Sequence, residues 1–154
     1  MINEALRGKK IAITGSTGFL GTALVELLLR EIEDIQLRLL IRPSGKRSPD
    51  KRLERDILKN DAFDSLKSSV GEDRFATMVK EQIKALSADI SKPDLDLDAN
   101  GFKELSECDV IIHSAAAVSF DEPLDRAAEV NLMGPVRLVE SLKQLKSKPH
   151  LVMV

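Results

Sequence analysis

The sequence predicts an α/β fold, a doubly wound parallel sheet of about five strands. Three observations predict it. Short apolar runs of strand length alternate with segments whose apolar residues recur at helical spacing. The first run ends in a glycine-rich loop that opens a helix. The 154 residues are 43% hydrophobic and 31% charged, a globular composition with enough chain for one sizeable core.

Taken in order, Lys10 to Thr14 reads as a buried strand that stops at Gly15. From Gly18 to Ile32, Leu20, Leu24, Leu27 and Leu28 mark one helix face, and Glu26 and Arg30 form a favourable pair four apart. Ile35 to Ile41 is a second strand, ended by Pro43 and Gly45. Residues 43–81 are too long for a simple loop and read as a helical insertion. Within it, Asp50 to Asn60 and Asp61 to Ser68 look helical, and Glu72 to Lys80 is ambiguous. Ile83 to Ala88 is a weaker third strand. Ser91 to Asn100 is an acidic loop, followed by a short helix over Gly101 to Ser106. Asp109 to His113 is a fourth strand, Leu124 to Leu145 one long helix, and His150 to Val154 a fifth strand. Repeated strand–helix–strand units place ligands outside the carboxyl ends of the strands.

Composition excludes several functions. Twenty-three basic residues against 25 acidic give a net charge of −2, so no nucleic-acid partner is expected. The single cysteine, Cys108, reads as a small buried hydrophobe. It permits no intrachain disulfide, no metal is expected, and a reducing, cytoplasmic location fits. No apolar run approaches ~18 residues, the length that would span a membrane. The N-terminus has no signal-peptide core. There is no Trp and no Tyr.

Thr14-Gly15-Ser16-Thr17-Gly18-Phe19-Leu20-Gly21 joins the first strand to the first helix. Gly15 permits a tight turn, Gly18 a close approach of backbone to pyrophosphate, and Gly21 close packing of helix on strand. Free N–H groups at the helix start then face the phosphates. This context points to a Rossmann-type sheet and a dinucleotide ligand; the alternative is three turn or packing glycines with no ligand. No Gly-Lys-Ser/Thr follows, so the loop is not a P-loop.

An NAD site usually has Asp or Glu after the second strand. Here Arg42 stands there. Residues 42–55 hold Arg42, Lys46, Arg47, Lys51, Arg52 and Arg55 against Asp50 and Glu54, a local charge of +4. Guanidinium–phosphate bonds contribute ~1.5–3 kcal/mol each. Two of them, from Arg42 and Arg52 to a ribose 2′-phosphate, would favour NADPH by ~100-fold. The alternative is a solvated basic helix face, the expected place of Lys46, Arg47 and Lys51.

Asp89 and Ile90 follow the third strand. The carboxylate would accept from an adenine amino group and Ile90 would cover the ring; a turn or capping role fits Asp89 equally well. Ser114, Ala115, Ala116 and Ala117 follow the fourth strand and are small enough for a planar cofactor, or for simple close packing. His113 reads as a core histidine, and His150 has no assigned role. Pro135, lacking an N–H, frees the carbonyl of Asn131 four residues earlier. Such a carbonyl either holds a water of a proton relay or marks a mere bend.

The loop at 14–21, His-x-Ala-Ala at 113–116, and Asn131 followed by Gly134 resemble the extended short-chain dehydrogenase/reductase family. A narrower pattern resembles the NADPH-binding part of fatty acyl-CoA reductases, and of the thioester-reductase domains of carboxylic acid reductases and peptide synthetases. It comprises Gly-Phe-Leu-Gly (18–21), Ile-Arg (41–42), Arg-Leu (52–53), Ala-Asp-Ile (88–90) and His-Ser-Ala-Ala-Ala-Val-Ser-Phe-Asp (113–121). The resemblance spans residues 9–154 and accounts for the insertion.

It implies hydride transfer from NADPH to a fatty acyl-CoA or other acyl thioester, giving aldehyde or alcohol, with Asn131 supporting the proton relay. That family supplies the proton from Tyr-x-x-x-Lys, with a Ser or Thr after the fifth strand. None of these stands in this chain. The expectation is therefore one NADP-binding domain over residues 1–154, stopping at strand five: the N-terminal part of a longer enzyme, inactive alone. Its uncovered sheet edge would favour self-association. Ser119 and Ala117 depart from the Arg and Thr common in relatives. A sugar-nucleotide epimerase or dehydratase of the same family is the nearest enzymatic alternative, and Arg42 argues against it. A non-catalytic NADP-sensing module is the other.

Overall fold

A computed structural model describes residues 2–119, 121–145 and 147–154. Phe120, within the resembling stretch 113–121, lies outside the described residues, as do Met1 and Lys146 of the expected domain.

Five strands form one parallel sheet: β1 (Lys10–Thr14), β2 (Gln36–Ile41), β3 (Ile83–Ser87), β4 (Val110–His113) and β5 (His150–Met153). Their order is β3-β2-β1-β4-β5. The chain therefore winds outward from β1 in one direction, returns, and winds out in the other. The reversal falls between β1 and β4, and ligands bind at such a switch point. Thr14 is level with Leu40 on one side and His113 on the other, so three strands end together.

Alternation along the strands divides the core. Ile11, Ile13, Leu37 and Leu39 face helix α2 (Phe19–Glu31) and the insertion. Ala12, Leu40, Leu86 and Ile111 face the opposite way, with Leu105 of α6 (Ala99–Ser106) and Leu138 of α8 (Gly134–Lys143) in the same cluster. Both faces of β1 and β2 are covered, which is why these two strands read as nearly continuous apolar runs. An ion-paired cluster interrupts the second face. Buried Arg38 of β2 donates to Glu104 of α6 at 2.6 Å, and Lys84 of β3 donates to the same carboxylate at 2.6 Å. The Lys84 bond, then Arg38, holds the Glu104 carboxyl down at about 2.

The insertion is mostly helical from Pro49 on, after a tight turn bridged by Ser44 and Arg47, and is less regular than its pattern suggests. It comprises α3 (Pro49–Arg52), a π-helix (Leu53–Leu58), a 3-10 turn (Asp61–Phe63), α4 (Asp64–Val70) and α5 (Glu72–Gln82). The Ser48 hydroxyl caps α3, with Pro49 in its first turn, where a missing N–H costs nothing. The ambiguous stretch from Glu72 is α5. Among its residues only Phe75 is fully buried, edge-on to Phe63 at 5.9 Å. A single anchor leaves little apolar periodicity to read.

Three further expectations need correction. The long helix expected over Leu124 to Leu145 is α7 (Leu124–Ala128), a π-turn (Glu129–Met133) and α8. Pro135 sits in the first turn of α8, so the ladder cannot run through it. After Lys143 the chain closes in tighter turns, Gln144 to Ser141 and Leu145 to Leu142. The acidic loop holds a 3-10 element (Pro93–Asp96) in which Asp94, Leu95 and Asp96 all have positive φ, and α6 begins at Ala99. A short helix α1 (Ile2–Leu6) precedes β1, and Leu6 packs on the first core.

Candidate functional site

The glycine loop is built around backbone contacts. Gly15 has φ +74°, and a Cβ there would lie 2.6 Å from Ala115 N. A Cβ on Gly21 would overlap the Gly15 carbonyl and come within 2.7 Å of Ser16 Cα. Both positions are closed to any side chain. Gly18 differs: its φ is ordinary, and only Gly15 O, at 3.3 Å, lies near a Cβ. Gly18 lines the cleft, so a side chain here would occupy ligand space. It is also the N-cap of α2 and makes no side-chain cap. The helix start is thus left with N–H groups suited to an anion. Phe19 and Leu20 hold their side chains in solvent, and the Ser16 side chain is buried beneath the loop.

At the end of β2, the Arg42 side chain is exposed and makes no hydrogen bond or ion pair among the described residues. Arg52 is anchored. Its Nε donates to Asp56 at 2.8 Å, Nη1 to the Arg42 carbonyl at 2.7 Å, and Nη2 to Thr17 Oγ1 at 3.3 Å. Arg52 therefore ties the insertion to β2 and to the glycine loop. The sequence gives its proximity to Arg42 but not this third link.

Asp89 fills its turn role with one oxygen. Oδ1 accepts from Ser91 N at 3.0 Å and from Ser91 Oγ at 2.8 Å. Oδ2 has no partner among the described residues, and Asp89 also lines the cleft, so the two readings of this residue are compatible. Ile90 lies against Gly134, where a Cβ would approach Ile90 Cδ1 to 3.0 Å. Glycine at 134 lets the α8 start close on the cleft.

Beyond β4, Ser114 Oγ donates to the Thr14 carbonyl at 2.8 Å, and Thr14 Oγ1 pairs with His113 Nδ1 at 2.7 Å. His113 is buried, and burial lowers its pKa, so the ring is neutral near pH 7. It is a satisfied core histidine. Asn131 acts through its side chain. Oδ1 accepts from Ala117 N at 2.7 Å, and Nδ2 donates to Ala117 O at 2.9 Å. The missing N–H of Pro135 gave no sign of this pair.

These elements enclose one cleft of about 400 Å³. Thr14, Gly15, Thr17, Gly18, Arg42, Arg52, Asp89, Ile90, Ser114, Ala115, Ala116 and Ala117 line it; Ser16, Phe19, Leu20, Gly21 and Asn131 do not. Sequence reasoning missed Glu122, Arg126 and Val130. Glu122 and Arg126 form an ion pair of 2.6 Å at i,i+4. That spacing was legible, but nothing indicated that the chain after β4 folds back over the cleft. A cleft lined by the glycine loop, by two arginines on the β2 side and by small residues on the β4 side fits a dinucleotide.

Comparison with known proteins agrees with this geometry. An NAD-binding family model described as "Male sterility protein" matches residues 13–154. The chain is 36% identical over 143 residues to fatty acyl-CoA reductase 2, chloroplastic, of Arabidopsis thaliana, covering 92% of this chain and 23% of that protein. It is 32% identical over 146 residues to fatty acyl-CoA reductase 1 of Gallus gallus, covering 94% of this chain and 27% of that protein. Among solved structures, the terminal R domain of the myxalamid PKS-NRPS pathway matches with TM-score 0.69 and 27% identity, over 94% of this chain and 34% of that one. The reductase domain of a nonribosomal peptide synthetase from Mycobacterium tuberculosis matches with TM-score 0.68 and 28% identity, over 94% and 32%. The chain spans about a quarter of the length of the curated relatives. No helix among the described residues is long and apolar enough to cross a membrane.

Proposed function

The chain belongs to the Male sterility protein family, and from that membership we propose that it forms the NADPH-binding part of a reductase that acts on a fatty acyl-CoA or another acyl thioester. One observation carries the choice of NADPH over NADH. Arg42 stands at the end of β2 where an NAD site places an acid, with its charge unpaired among the described residues, and Arg52 lines the same cleft beside it. The thioester comes from the relatives, which are fatty acyl-CoA reductases and synthetase reductase domains.

The bound cofactor supplies the hydride. The chain's own residues bind and orient it. The loop at 14–21 and the start of α2 receive the pyrophosphate. Arg42 and Arg52 hold the 2′-phosphate. The free oxygen of Asp89 accepts from the adenine amino group, and Ile90 covers the ring. Ser114 to Ala117 form the wall against the nicotinamide half, and Asn131 fixes that wall through Ala117. The Asn131 carbonyl supports proton supply. The product is an aldehyde or alcohol.

Fluorescence titration with NADPH and NADH tests the cofactor. Arg42→Ala should weaken NADPH roughly tenfold and leave NADH nearly unchanged. Equal losses for both would overturn the 2′-phosphate assignment. Acyl-CoA-dependent NADPH oxidation by the protein, with a UDP-sugar as control, tests the substrate class.

A further inference from the structure

We propose that Asp56 is a positioning residue that sets cofactor specificity by fixing Arg52 before the ligand arrives. The inference rests on the NADPH reading and deepens it. Asp56 lies in the π-helix of the insertion (Leu53–Leu58), and its Oδ2 accepts from Arg52 Nε at 2.8 Å. The pair is largely withdrawn from water, with side-chain exposures of 17% for Arg52 and 23% for Asp56.

A free arginine side chain samples many rotamers, and ordering it on binding costs affinity. Here three contacts from three elements order it in advance: Asp56 from the π-helix, the Arg42 carbonyl at the end of β2, and Thr17 from the glycine loop. Each nitrogen spends one N–H on these contacts. Nη1 and Nη2 each keep one more, without a partner among the described residues.

The choice of Nε matters. A guanidinium grips an oxyanion through its side edge, Nε with Nη2, or its end, Nη1 with Nη2. Asp56 takes Nε, the one nitrogen with a single N–H, and so blocks the side-edge grip. What remains for a phosphate is the one further N–H on each of Nη1 and Nη2. The neighbouring Arg55, more exposed, stands 3.9 Å from Asp56 Oδ1 and does not compete for Oδ2.

The test is direct titration of NADPH and NADH against wild type, Asp56→Ala and Asp56→Asn, with thermal melts as a control for folding. Asp56→Asn keeps an oxygen that accepts from Nε and removes the charge. The expected result is an NADPH-over-NADH preference reduced by about tenfold in Asp56→Ala and restored to within about twofold of wild type in Asp56→Asn. Three results would overturn the inference. Equal loss of both cofactors would make Asp56 a structural support only. Tighter NADPH binding in both variants would make it a charge that opposes the phosphate. An unchanged preference in Asp56→Ala would show that Arg52 needs no such anchor. If wild type itself binds both cofactors equally, the NADPH reading fails first, and this inference falls with it.

Discussion

The carboxamide of Asn131 and the peptide of Ala117 form a closed pair of hydrogen bonds, 2.7 and 2.9 Å long, across 14 residues of chain. The side chain does what a neighbouring strand would do: it satisfies both the donor and the acceptor of one backbone unit. It can do so because Asn131 lies in the π-turn between α7 and α8, a distortion common at functional sites. The wall of the cleft beyond β4 is thereby held from the helix that crosses it.

Asn131→Ala should release that wall. Hydrogen exchange at the Ala117 amide should accelerate by about tenfold or more, and NADPH affinity should fall by roughly fivefold. Asn131→Asp should be worse, since a carboxylate oxygen would then face the Ala117 carbonyl. Unchanged exchange at Ala117 would show that the pair carries no strength.

Gly21 and Gly18 should separate folding from binding. Gly21→Ala forces a methyl group into the Gly15 carbonyl, and backbone cannot yield as a flexible side chain would. A loss of about 3 kcal/mol in urea unfolding is expected. Gly18→Ala meets only one atom, at 3.3 Å. It should melt within a few degrees of wild type and lose cofactor affinity.

Glu104 makes stability depend on acid. Its carboxyl lies at about 2 instead of 4.5, held there by Lys84 first and then Arg38. A carboxyl with a depressed folded pKa contributes its full stabilisation above the unfolded value and loses it as pH falls through the folded one. The window therefore runs from about pH 5 down to about pH 2. The full shift corresponds to roughly 3 kcal/mol, and partial access of water reduces it to about 1–2 kcal/mol. Glu104→Gln should be less stable than wild type at neutral pH and show a flatter decline across that window in urea titrations. Parallel declines would assign the acid sensitivity elsewhere.

Cys108 should be inert. Burial pushes its thiol up to about 12, and Sγ contacts the Glu104 carbonyl at 3.3 Å. Alkylation near pH 8 should be roughly a thousandfold slower than for an exposed thiol and normal in denaturant. Rapid modification of the folded protein would contradict this packing.

The central strands β1 and β2 were legible in the sequence because they are buried on both faces, and β3 reads more weakly because it is only partly buried. Leu39, Leu40 and Ile41 alternate sides of the sheet, yet each meets a core, so the run carries no polar interruption. The place of the cleft was legible from topology, since Gly15, Arg42, Asp89 and Ser114 each follow a strand. The two π-helices were not, because one extra residue in a helical turn leaves the local apolar pattern nearly intact. The left-handed backbone of Asp94, Leu95 and Asp96 was also hidden. Nothing in Leu95 itself favours positive φ, and the conformation goes with a side chain buried in the second core and a carbonyl that accepts from Asp89 N at 2.7 Å. Val130 was missed because it reaches the cleft from a helix, where strand ends give no guide.

The strand order has a consequence for how the cleft is made during synthesis. β1, β2 and β3 are neighbours in space and complete by Ser87, so the side of the cleft that carries Arg42 and Arg52 is assembled from the first part of the chain. The opposite wall pairs with β1 from the other side, through Thr14 and His113, and must wait for residues near the 110s to leave the ribosome. Until then one edge of the central strand stands open beside the glycine loop. At that stage the glycine loop and the end of β2 are in place without the segment beyond β4, and β4 closes both the β1 edge and the cleft.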